Sequence, residues 1–484
     1  MTLRNGEQKE KMGADMATVP NPEPELPPEE WSAELGLTDE NSPASPGNPL
    51  DHPAFEVPAD EGPCVNWLFV DLNSYFASVE QQVRPELRGR PVGVVPMMAD
   101  TTVCIAASYE AKAYGVKTGT VVADAKRMCP DIVFVEGRHE IYVEYHHRVV
   151  EAVESCLPVS CVMSIDEMAC RLMGRERPLV AALELGRKVK ERIRERVGPM
   201  LRSSVGLATN RYLAKIASDM EKPDGLVALP LDILPEALPQ LTLRDLPGIG
   251  ARTEKRLNAK GIYSMSQLLA LDAEQAGELW GSVWGERLWH WLRGEDFDMS
   301  ENEHNKSLSH SHVLAPDMRT AEKAWGVAHK LLHKAAMRLR AADLWAGSIG
   351  LALGFSVPRS MNAPVSRFGV PTRGWHSEIR LAECQDNQTL IGALSRLWAS
   401  RPKGSEYDQP YFIGVQLNNL VPDRLHSLNL FDAIDDSATR AKLLATMDEL
   451  NQKYGTAALA PAAMLTAYKA APTRIAFHSI PDLF

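Results

Sequence analysis

Two short acidic motifs, each placed after an apolar run, constrain this chain more than any other feature of its sequence. Asp71 follows the apolar residues 67–70, and the pair Asp166 and Glu167 follows residues 162–165. Apolar runs of this length are typical of buried strands. We therefore expect two strands that deliver their carboxylates to the same edge of one sheet.

Three carboxylates that converge at a sheet edge repel one another unless cations lie between them. Mg²⁺ is a hard ion that prefers oxygen ligands and accepts carboxylates from separate strands. Two such ions bridged by shared acids support in-line attack on a phosphate. An Asp–Glu pair after a strand is, by itself, more often a solvated turn. The surrounding motifs must decide between these two interpretations.

Five motifs favour the catalytic interpretation. Residues 71–80 (DLNSYFASVE) and 164–167 (SIDE) closely resemble the two catalytic motifs of the Y-family, the translesion DNA polymerases. Three further motifs follow in family order: 84–92 (RPELRGRPV), 107–117 (ASYEAKAYGVK) and 214–223 (AKIASDMEKP). The resemblance covers about residues 64–425 and is intermediate between polymerase IV and the catalytic subunit of polymerase V, which also carries Asn where this chain has Asn73.

The resemblance implies a metal site and a reaction. Asp71, Asp166 and Glu167 match the carboxylates that hold two Mg²⁺ ions, and the carbonyl of Leu72 matches a further ligand. The implied reaction is attack of a primer 3′-hydroxyl on the α-phosphate of a deoxynucleoside triphosphate, with release of pyrophosphate.

The resemblance also implies nucleotide-binding residues: Tyr75, Phe76, Tyr109, Lys112 and Lys222. Phe76 matches the steric gate, whose ring fills the space that a ribose 2′-hydroxyl would need, although a core Phe is the simpler interpretation. Tyr109, Lys112 and Lys222 match positions that contact the triphosphate. Lys112 replaces the Arg common in polymerase IV and supplies a point charge without a bidentate fork.

A net charge of -11 would oppose phosphate binding if it were spread over the whole chain, but it is not. Residues 1–62 hold 14 Asp/Glu and 3 Lys/Arg, so they carry the whole excess and the remaining chain is neutral. This Pro- and Glu-rich tail has the composition of a disordered segment. Residues 306–424 hold 15 Lys/Arg against 9 Asp/Glu and form the basic module of the chain. Their pattern of strands and helices predicts two helices on one face of a four-stranded sheet.

Composition bounds the location of the protein. No run of about 18 apolar residues is present, so we expect no membrane span. Residues 1–21 lack the apolar segment of a secretory signal. The 7 cysteines show no C-x-x-C spacing, which predicts reduced thiols in a cytoplasmic protein. The adjacent His146 and His147 lack an H-E-x-x-H context and are predicted to lie on a helix surface.

The alternation of strands and helices predicts an α+β fold, and the resemblance implies a multidomain right-hand polymerase. The predicted regions are a disordered acidic tail (1–62), a palm (63–84 and 141–235), fingers (85–140), a thumb with a helix-hairpin-helix (236–300), a little finger (306–424) and a C-terminal clamp-docking and helical segment (425–484).

The thumb and the little finger carry the candidate DNA contacts. Gly248 and Gly250 lie between two helical stretches, with no preceding strand and no third glycine, which argues against a dinucleotide-binding loop. A helix-hairpin-helix fits better, because its backbone N–H groups can approach a phosphate, and Lys255 follows on the second helix. A plain helix–helix turn is the alternative. Lys330 and Lys334 are the candidates in the little finger, unless they belong to a solvated helix face.

The segment 427–431 (SLNLF) resembles the short motif by which polymerases dock on a sliding clamp, with Ser427 replacing the usual Gln. Leu428, Leu430 and Phe431 are the predicted clamp-binding anchors. The C-terminal residues 480–484 (IPDLF) are a second candidate. The expected partners are therefore primer–template DNA, deoxynucleoside triphosphates, the sliding clamp and mutagenesis accessory proteins, without a membrane.

The sequence thus predicts a template-directed, error-tolerant DNA polymerase that acts in DNA damage bypass. The alternative is a non-catalytic polymerase-like adaptor in a mutagenesis complex, which would keep the fold and lose the acids. All three acids are present. A helix-hairpin-helix DNA-binding module without enzyme activity would not explain residues 64–235.

Overall fold

The computed structural model describes residues 62–100, 102–297, 307–356, 372–404, 407–426, 434–454, 458–462 and 464. Within these residues the strands form three sheets. No helix in the described part of the chain has the length and apolar character needed to cross a membrane.

The strands, in chain order, are β1 (Trp67–Leu72), β2 (Val92–Val95), β3 (Ala106–Ala107), β4 (Val133–Glu136), β5 (Cys161–Val162), β6 (Glu167–Arg171), β7 (Ser203–Ala208), β8 (Leu226–Leu229), β9 (Ser307–Val313), β10 (Leu344–Ser356), β11 (Thr372–Cys384) and β12 (Pro410–Pro422). The helices are α1 (Tyr75–Val83), α2 (Tyr109–Lys112), α3 (Val122–Met128), α4 (His139–Glu154), α5 (Leu179–Arg196), α6 (Arg211–Met220), α7 (Leu234–Ala237), α8 (Ala251–Ala259), α9 (Met265–Leu269), α10 (Ala273–Trp280), α11 (Val283–Trp291), α12 (Ala321–Ala341), α13 (Asn387–Ala399) and α14 (Ile434–Tyr454).

The first sheet has the order β5-β6-β1-β7-β8, with β1 antiparallel to both of its neighbours. Successive side chains of a strand point to opposite faces. Leu68 and Val70 pack with α1, α4 and α5 in one core, whereas Phe69 packs with α6 in another. Asp71 has the same parity as Phe69 and therefore lies on the face that α6 covers.

Helix α6 lies directly against β7 at Gly206. A Cβ atom at this position would come within 2.0 Å of the Ala214 carbonyl oxygen and 2.4 Å of the Ser218 amide nitrogen. No side chain fits in this space. The absence of a side chain at Gly206 thus sets the distance between α6 and the sheet.

Asn210 begins α6 and joins it to the following helices. Its Oδ1 accepts a hydrogen bond from the Leu213 amide at 2.9 Å, which satisfies one of the free donors of the first turn. Its Nδ2 donates to the carbonyls of Trp291 at 2.8 Å and Glu295 at 3.0 Å. One buried side chain therefore fixes both the start of α6 and its packing on α11.

The predicted strand at residues 162–165 is wrong beyond its first residue. Strand β5 ends at Val162, and residues 163–166 form the turn of the β5–β6 hairpin. The amides of Met163 and Ser164 both donate to the Glu167 carbonyl, at 2.9 and 3.1 Å. Met163 and Ile165 are apolar and therefore suggest a strand. The turn is closed by backbone hydrogen bonds, which side-chain polarity does not reveal. Asp166 consequently lies in a turn and Glu167 begins a strand.

The second sheet has the order β3-β2-β4, and α3 packs against it through Val122 and Ala125. The alternating apolar residues 102–106 favour a strand, but β3 comprises only Ala106–Ala107, and Val103 forms an isolated bridge with Val121. From Leu234 to Trp291 the described chain is helical, as predicted. Trp291 is buried in the core that α6 shares, with Trp280 and Trp284 packed at its edge.

Residues 307–426, here called the C-terminal module, form the third sheet in the order β11-β10-β12-β9. Leu351 and Leu353 of β10 face a core that includes α12 and α13, so both helices cover the same face of the sheet. This is the arrangement predicted for residues 306–424, with longer strands. Helix α14 also contacts the module, because Arg340 forms a bidentate ion pair with Asp448 at 2.6 and 2.9 Å.

Candidate active site

The two predicted acidic motifs meet on the first sheet. Asp71 and Glu167 are directly opposite each other in the antiparallel pair of β1 and β6. The Leu72 amide donates to the Asp166 carbonyl at 2.8 Å, which ties the hairpin turn to β1. The three predicted carboxylates therefore lie at one place, although they come from distant parts of the sequence.

The hairpin turn that carries Asp166 is held by two short contacts. The Ser164 hydroxyl donates to Asp166 Oδ1 at 2.5 Å, and His146 Nδ1 lies 2.8 Å from the Ile165 carbonyl. His146 is buried, so its predicted position on a helix surface is wrong, whereas His147 is exposed as expected. Burial lowers the pKa of His146, which favours a neutral ring that donates to the carbonyl.

Asp166 is in an environment that disfavours its negative charge. Desolvation raises the pKa of Asp166 to about 6, and the nearby Asp71 and Glu167 carboxylates add to this effect, while the Ser164 hydrogen bond opposes it. A carboxylate in this state gains strongly from a neighbouring cation.

Two lysines of the α6 region lie among the acids. Lys215 Nζ contacts Asp71 Oδ2, Glu167 Oε1 at 2.8 Å and Asp219 Oδ1 at 3.0 Å. Lys222 Nζ lies 2.7 Å from both Asp71 Oδ2 and Asp219 Oδ1. Sequence reasoning singled out Lys222 and missed Lys215 and Asp219. The signal was present, because Lys215, Asp219 and Lys222 follow helical spacing within the motif 214–223.

The acids hold both lysines in their charged form. Burial lowers the pKa of Lys215, but the carboxylates of Asp71, Glu167 and Asp219 outweigh burial and raise it above its usual range. The pKa of Lys222 is likewise raised by Asp71 and Asp219 against the opposing effects of burial and of Lys215. The site therefore contains two ammonium groups close to four carboxylates.

The donor set fits divalent cations, although the described residues contain no group of three or more His, Cys, Asp or Glu side chains already arranged around a single point. The oxygens of Asp71 on β1, Glu167 on β6 and Asp166 in the adjoining turn are hard ligands. Burial raises the pKa of Asp166, so a nearby cation would stabilise its charged form. The ammonium of Lys215 contacts both Asp71 and Glu167, so these two carboxylates surround a nitrogen atom and not a metal ion.

Tyr109 and Lys112, predicted to contact the triphosphate, lie beside this group. Lys112 Nζ is 4.3 Å from the centre of the Tyr109 ring. Partial burial lowers the pKa of Lys112, and the like charge of Lys222 lowers it further. Desolvation raises the pKa of the Tyr109 hydroxyl. The electrostatic influence of Lys222 on both residues shows that the three predicted phosphate-binding side chains are neighbours.

Phe76 lies in an aromatic layer next to the acids. Its ring stacks on Tyr142 with centroids 4.5 Å apart and an interplanar angle of 16°. The Tyr142 hydroxyl donates to Glu80 at 2.9 Å, and Arg138 donates to the same carboxylate at 2.6 and 3.0 Å. Tyr75 is buried, and its hydroxyl donates to the Tyr142 carbonyl at 2.6 Å. That geometry favours a packing role for Tyr75 over its predicted nucleotide contact, which stays a prediction.

Asn73 connects the first acidic motif to the loop that carries Lys222. Its Nδ2 donates to Ser204 Oγ at 3.0 Å, and its Oδ1 accepts from the Asp224 amide at 2.8 Å. Ser204 Oγ in turn donates to the Glu221 carbonyl at 3.2 Å. Both sides of Lys222 are therefore held by the same pair of buried side chains.

The DNA contacts predicted in the thumb are all at exposed positions. Gly248, with a φ of 90°, and Gly250, which precedes α8, are exposed, and so is Lys255. The neighbouring Lys260 already donates to the carbonyls of Glu278 and Leu279, at 3.2 and 3.0 Å.

Lys330 and Lys334 lie on α12. Lys330 is buried, and the pKa of Lys334 is lowered to about 8 by burial and by Lys330. Their predicted DNA contacts stay predictions. The predicted clamp anchors Leu428, Leu430 and Phe431, and the segment 480–484, lie outside the described residues.

Sequence reasoning also missed the face of the third sheet opposite its helices. Gly350, Ala352 and Gly354 of β10 lie on this face, because their neighbours Leu351 and Leu353 point to the core. A shallow cavity of about 330 Å³ opens there between Gly354, His376 and Phe412. Gly350 and Gly354 are themselves buried, because the side chains of His376, Tyr411 and Phe412 lie over them.

The chain matches the family model described as the impB/mucB/samB family over residues 70–219, and the C-terminal domain of that family over residues 305–430. The DNA polymerase IV of Moorella thermoacetica is 34% identical over 405 residues, which cover 82% of this chain and 96% of that protein. The DNA polymerase IV of Pelotomaculum thermopropionicum is 31% identical over 411 residues, with 82% and 95% covered. The chain therefore belongs to the impB/mucB/samB family, the Y-family of translesion DNA polymerases.

Solved structures share the fold. A chimera of the Y-family DNA polymerases Dbh and Dpo4 superposes with a TM-score of 0.58 at 23% identity and covers 74% of this chain and 99% of its own. The insertion ternary complex of Dbh DNA polymerase superposes with a TM-score of 0.50 at the same identity and coverage. The predicted α+β polymerase fold is confirmed.

Proposed function

We propose that this Y-family polymerase adds deoxynucleotides to a primer 3′-hydroxyl with Asp71, Asp166, Glu167 and the Leu72 carbonyl as ligands of two Mg²⁺ ions. The observation that carries the proposal is the meeting of all three acids at one place on the first sheet. When bound, the ions would activate the hydroxyl and stabilise charge on the transferred phosphate. The turn contacts of Ser164 and His146 would keep Asp166 in position.

The cationic side chains next to the acids are suited to bind the triphosphate. The ammonium groups of Lys222 and Lys112 lie close to Tyr109, and an incoming triphosphate would offer them phosphate oxygens. The phosphate charge would also stabilise Lys112 in its protonated form, whose pKa is lowered in the protein alone. Tyr109 would orient Lys112 through the contact between its ring and the ammonium.

Phe76 is proposed as the residue that excludes ribonucleotides. A steric gate must stay in place when a larger sugar presses against it. The stack on Tyr142, and the buried Glu80 that holds the Tyr142 hydroxyl, would provide this resistance.

We assign the predicted regions to the observed elements as part of this proposal. Residues 63–84 and 141–235 would form the palm, 85–140 the fingers, 236–300 the thumb and 306–424 the little finger. DNA backbone would bind at the exposed glycines Gly248 and Gly250, next to the exposed Lys255. Docking on a sliding clamp through Leu428, Leu430 and Phe431, a damage-response role and a cytoplasmic location belong to the same proposal.

Primer extension by the purified full chain on undamaged and abasic templates tests the proposal. We expect Mg²⁺-dependent extension by the native protein, and no extension by Asp166→Asn or Glu167→Gln, which remove ligand charge and keep side-chain size. Primer–template affinity should change by less than about threefold in these variants, because backbone contacts elsewhere persist.

Asp224→Asn is the matched control for these variants. This carboxylate is half exposed, pairs with Lys190 at 3.1 Å and does not touch the three acids. Extension by the control should be normal. Substantial extension by Asp166→Asn would show that the metal assignment is wrong, and a failure of the native protein to extend any primer would favour a non-catalytic role.

A further inference from the structure

Lys215 occupies the centre of the acid group. Its ammonium contacts Asp71 of β1, Glu167 of β6 and Asp219 of its own helix. Asp71 and Glu167 are proposed metal ligands, whereas Asp219 lies one turn along α6. The same nitrogen therefore joins two carboxylates that would hold a metal ion to one that would not.

Helix α6 is already in contact with the sheet and cannot move closer to it. Gly206 lets it lie directly on β7, and Asn210 fixes its first turn. A change in the contacts of Lys215 must therefore come from rotation of its own side chain. Asp219 is within reach throughout such a rotation, because side chains four residues apart are neighbours on a helix surface.

A divalent cation and the Lys215 ammonium would compete for the same oxygens. Each needs Asp71 and Glu167 at about 2 to 3 Å, and two positive charges at that spacing repel strongly where water is scarce. Entry of the cation would thus require the ammonium to leave these carboxylates. Asp219 would remain as its partner, so the lysine would not be left as an isolated partly buried charge.

We propose that Lys215 is an internal counter-ion that holds the metal-binding acids together before a divalent cation arrives, and that Asp219 receives the ammonium when the cation binds. Lys215 and Asp219 are positioning residues for the metal site. Competition between the Lys215 ammonium and the cation sets the affinity of the protein for divalent ions in the absence of DNA and nucleotide. This inference rests on the proposed metal ligands and deepens that proposal.

Binding of Mn²⁺ to the full chain, followed by electron paramagnetic resonance without DNA or nucleotide, tests the inference. Lys215→Met should lower the dissociation constant for Mn²⁺ by about threefold or more, because the ammonium that bridges Asp71 and Glu167 is gone and, of the described cationic groups, only Lys222 still contacts Asp71. Lys126→Met is the control: Lys126 pairs with Asp100 at 2.6 Å, away from the acids and from the loop that carries Lys222. It should leave the constant unchanged. An unchanged or larger constant in Lys215→Met would overturn the inference.

Asp219→Asn separates the proposed exchange from a simple loss of negative charge. In the native background it should raise the dissociation constant, because the ammonium loses its second partner. In the Lys215→Met background the same change should have much less effect, since the two residues act as one unit. Equal effects in both backgrounds would mean that Asp219 acts through charge alone and would overturn its assigned role.

Thermal unfolding provides a readout that does not depend on the affinity of Mn²⁺ alone. In EDTA, Lys215→Met should unfold at a lower temperature than the native protein, because the acids lose their counter-ion, and saturating Mn²⁺ should remove most of this difference. If Mn²⁺ leaves the difference unchanged, the inference is wrong. If the native protein itself binds no Mn²⁺, it is the proposed metal site that fails.

Discussion

The ring of Phe76 lies nearly parallel to that of Tyr142, with centroids 4.5 Å apart. Aromatic stacking of this kind contributes about 0.5 to 1.5 kcal/mol beyond the burial of area. Tyr142 is itself fixed at both ends, because its hydroxyl donates to Glu80 and its carbonyl accepts from Tyr75. The side chain proposed to exclude ribonucleotides thus rests on a support that the rest of the core holds in place.

Phe76→Ala should raise ribonucleotide incorporation relative to deoxyribonucleotide incorporation by about tenfold or more, equivalent to at least ~1.4 kcal/mol of lost discrimination. The reason is that the substitution removes a steric clash from only one substrate. Single-nucleotide incorporation kinetics with matched ribo- and deoxyribonucleoside triphosphates measure the ratio. Equal ratios before and after the substitution would place the gate at another residue.

Asn73→Ala should raise the KM for deoxynucleoside triphosphates several-fold, with a smaller effect on kcat. Loss of the side chain leaves the Asp224 amide without this partner and removes one bond of the Ser204 hydroxyl, at a cost of about 1 kcal/mol or more, and loosens the loop that carries Lys222. Steady-state incorporation kinetics separate the two parameters. Asn66→Ala, which removes a bond to the Thr209 carbonyl in the same sheet, should leave KM unchanged.

Arg138→Ala should lower the free energy of unfolding by about 3 kcal/mol, because it leaves the fully buried Glu80 carboxylate without its bidentate partner. Arg84→Ala removes a longer contact of 3.6 Å from the same carboxylate and should cost less than about 1 kcal/mol. Urea unfolding of the two variants gives the comparison. Equal losses would contradict the view that Arg138 is the main partner of Glu80.

The pH dependence of stability should contain a contribution from His310. Burial, together with Arg338 and Lys334, lowers the pKa of His310 to about 4 from its usual 6.5. Between these values the unfolded chain binds the proton more readily than the folded chain, so acidification from pH 7 to pH 5 destabilises the folded state.

His310→Leu should therefore lose less stability than the native protein over this pH range, as measured by thermal unfolding at each pH. His376→Leu, at an exposed position on the opposite face of the sheet, is the control and should follow the native profile. Parallel profiles for His310→Leu and the native protein would show that His310 does not titrate in this range.

Leu430→Ala combined with Phe431→Ala should reduce synthesis stimulated by the sliding clamp and spare synthesis without the clamp. Apolar anchors carry most of the binding energy of a docking peptide, so losing two of them should cost a few kcal/mol, or about a hundredfold or more in affinity. Primer extension with and without the clamp measures the effect. If stimulation survives here and disappears on deletion of residues 480–484, the C-terminal segment is the docking site.

The sequence predicted the three acids because each lies in a motif whose order and spacing are specific. It also predicted the order of elements in the C-terminal module, since their periodicity is regular. It did not predict the contact of Lys215 with Asp71, which joins residues 144 positions apart. Helical spacing shows which residues share one face of a helix, but it does not show which distant strand that face will contact. The stacking of Phe76 on Tyr142 was not predicted for the same reason, since these residues are distant in the sequence. The strand expected over residues 162–165 ends at Val162, because backbone hydrogen bonds from Met163 and Ser164 to the Glu167 carbonyl close the turn earlier, and side-chain periodicity does not reveal such bonds.

Gly206 makes the reactive centre depend on a residue that has no side chain and no charge. Because α6 touches β7 there, any added atom would displace the helix and carry the ammonium of Lys215 with it, away from the sheet. A side chain at position 206 would therefore disturb two things at once, the packing of α6 on the sheet and the position of the Lys215 charge several residues away.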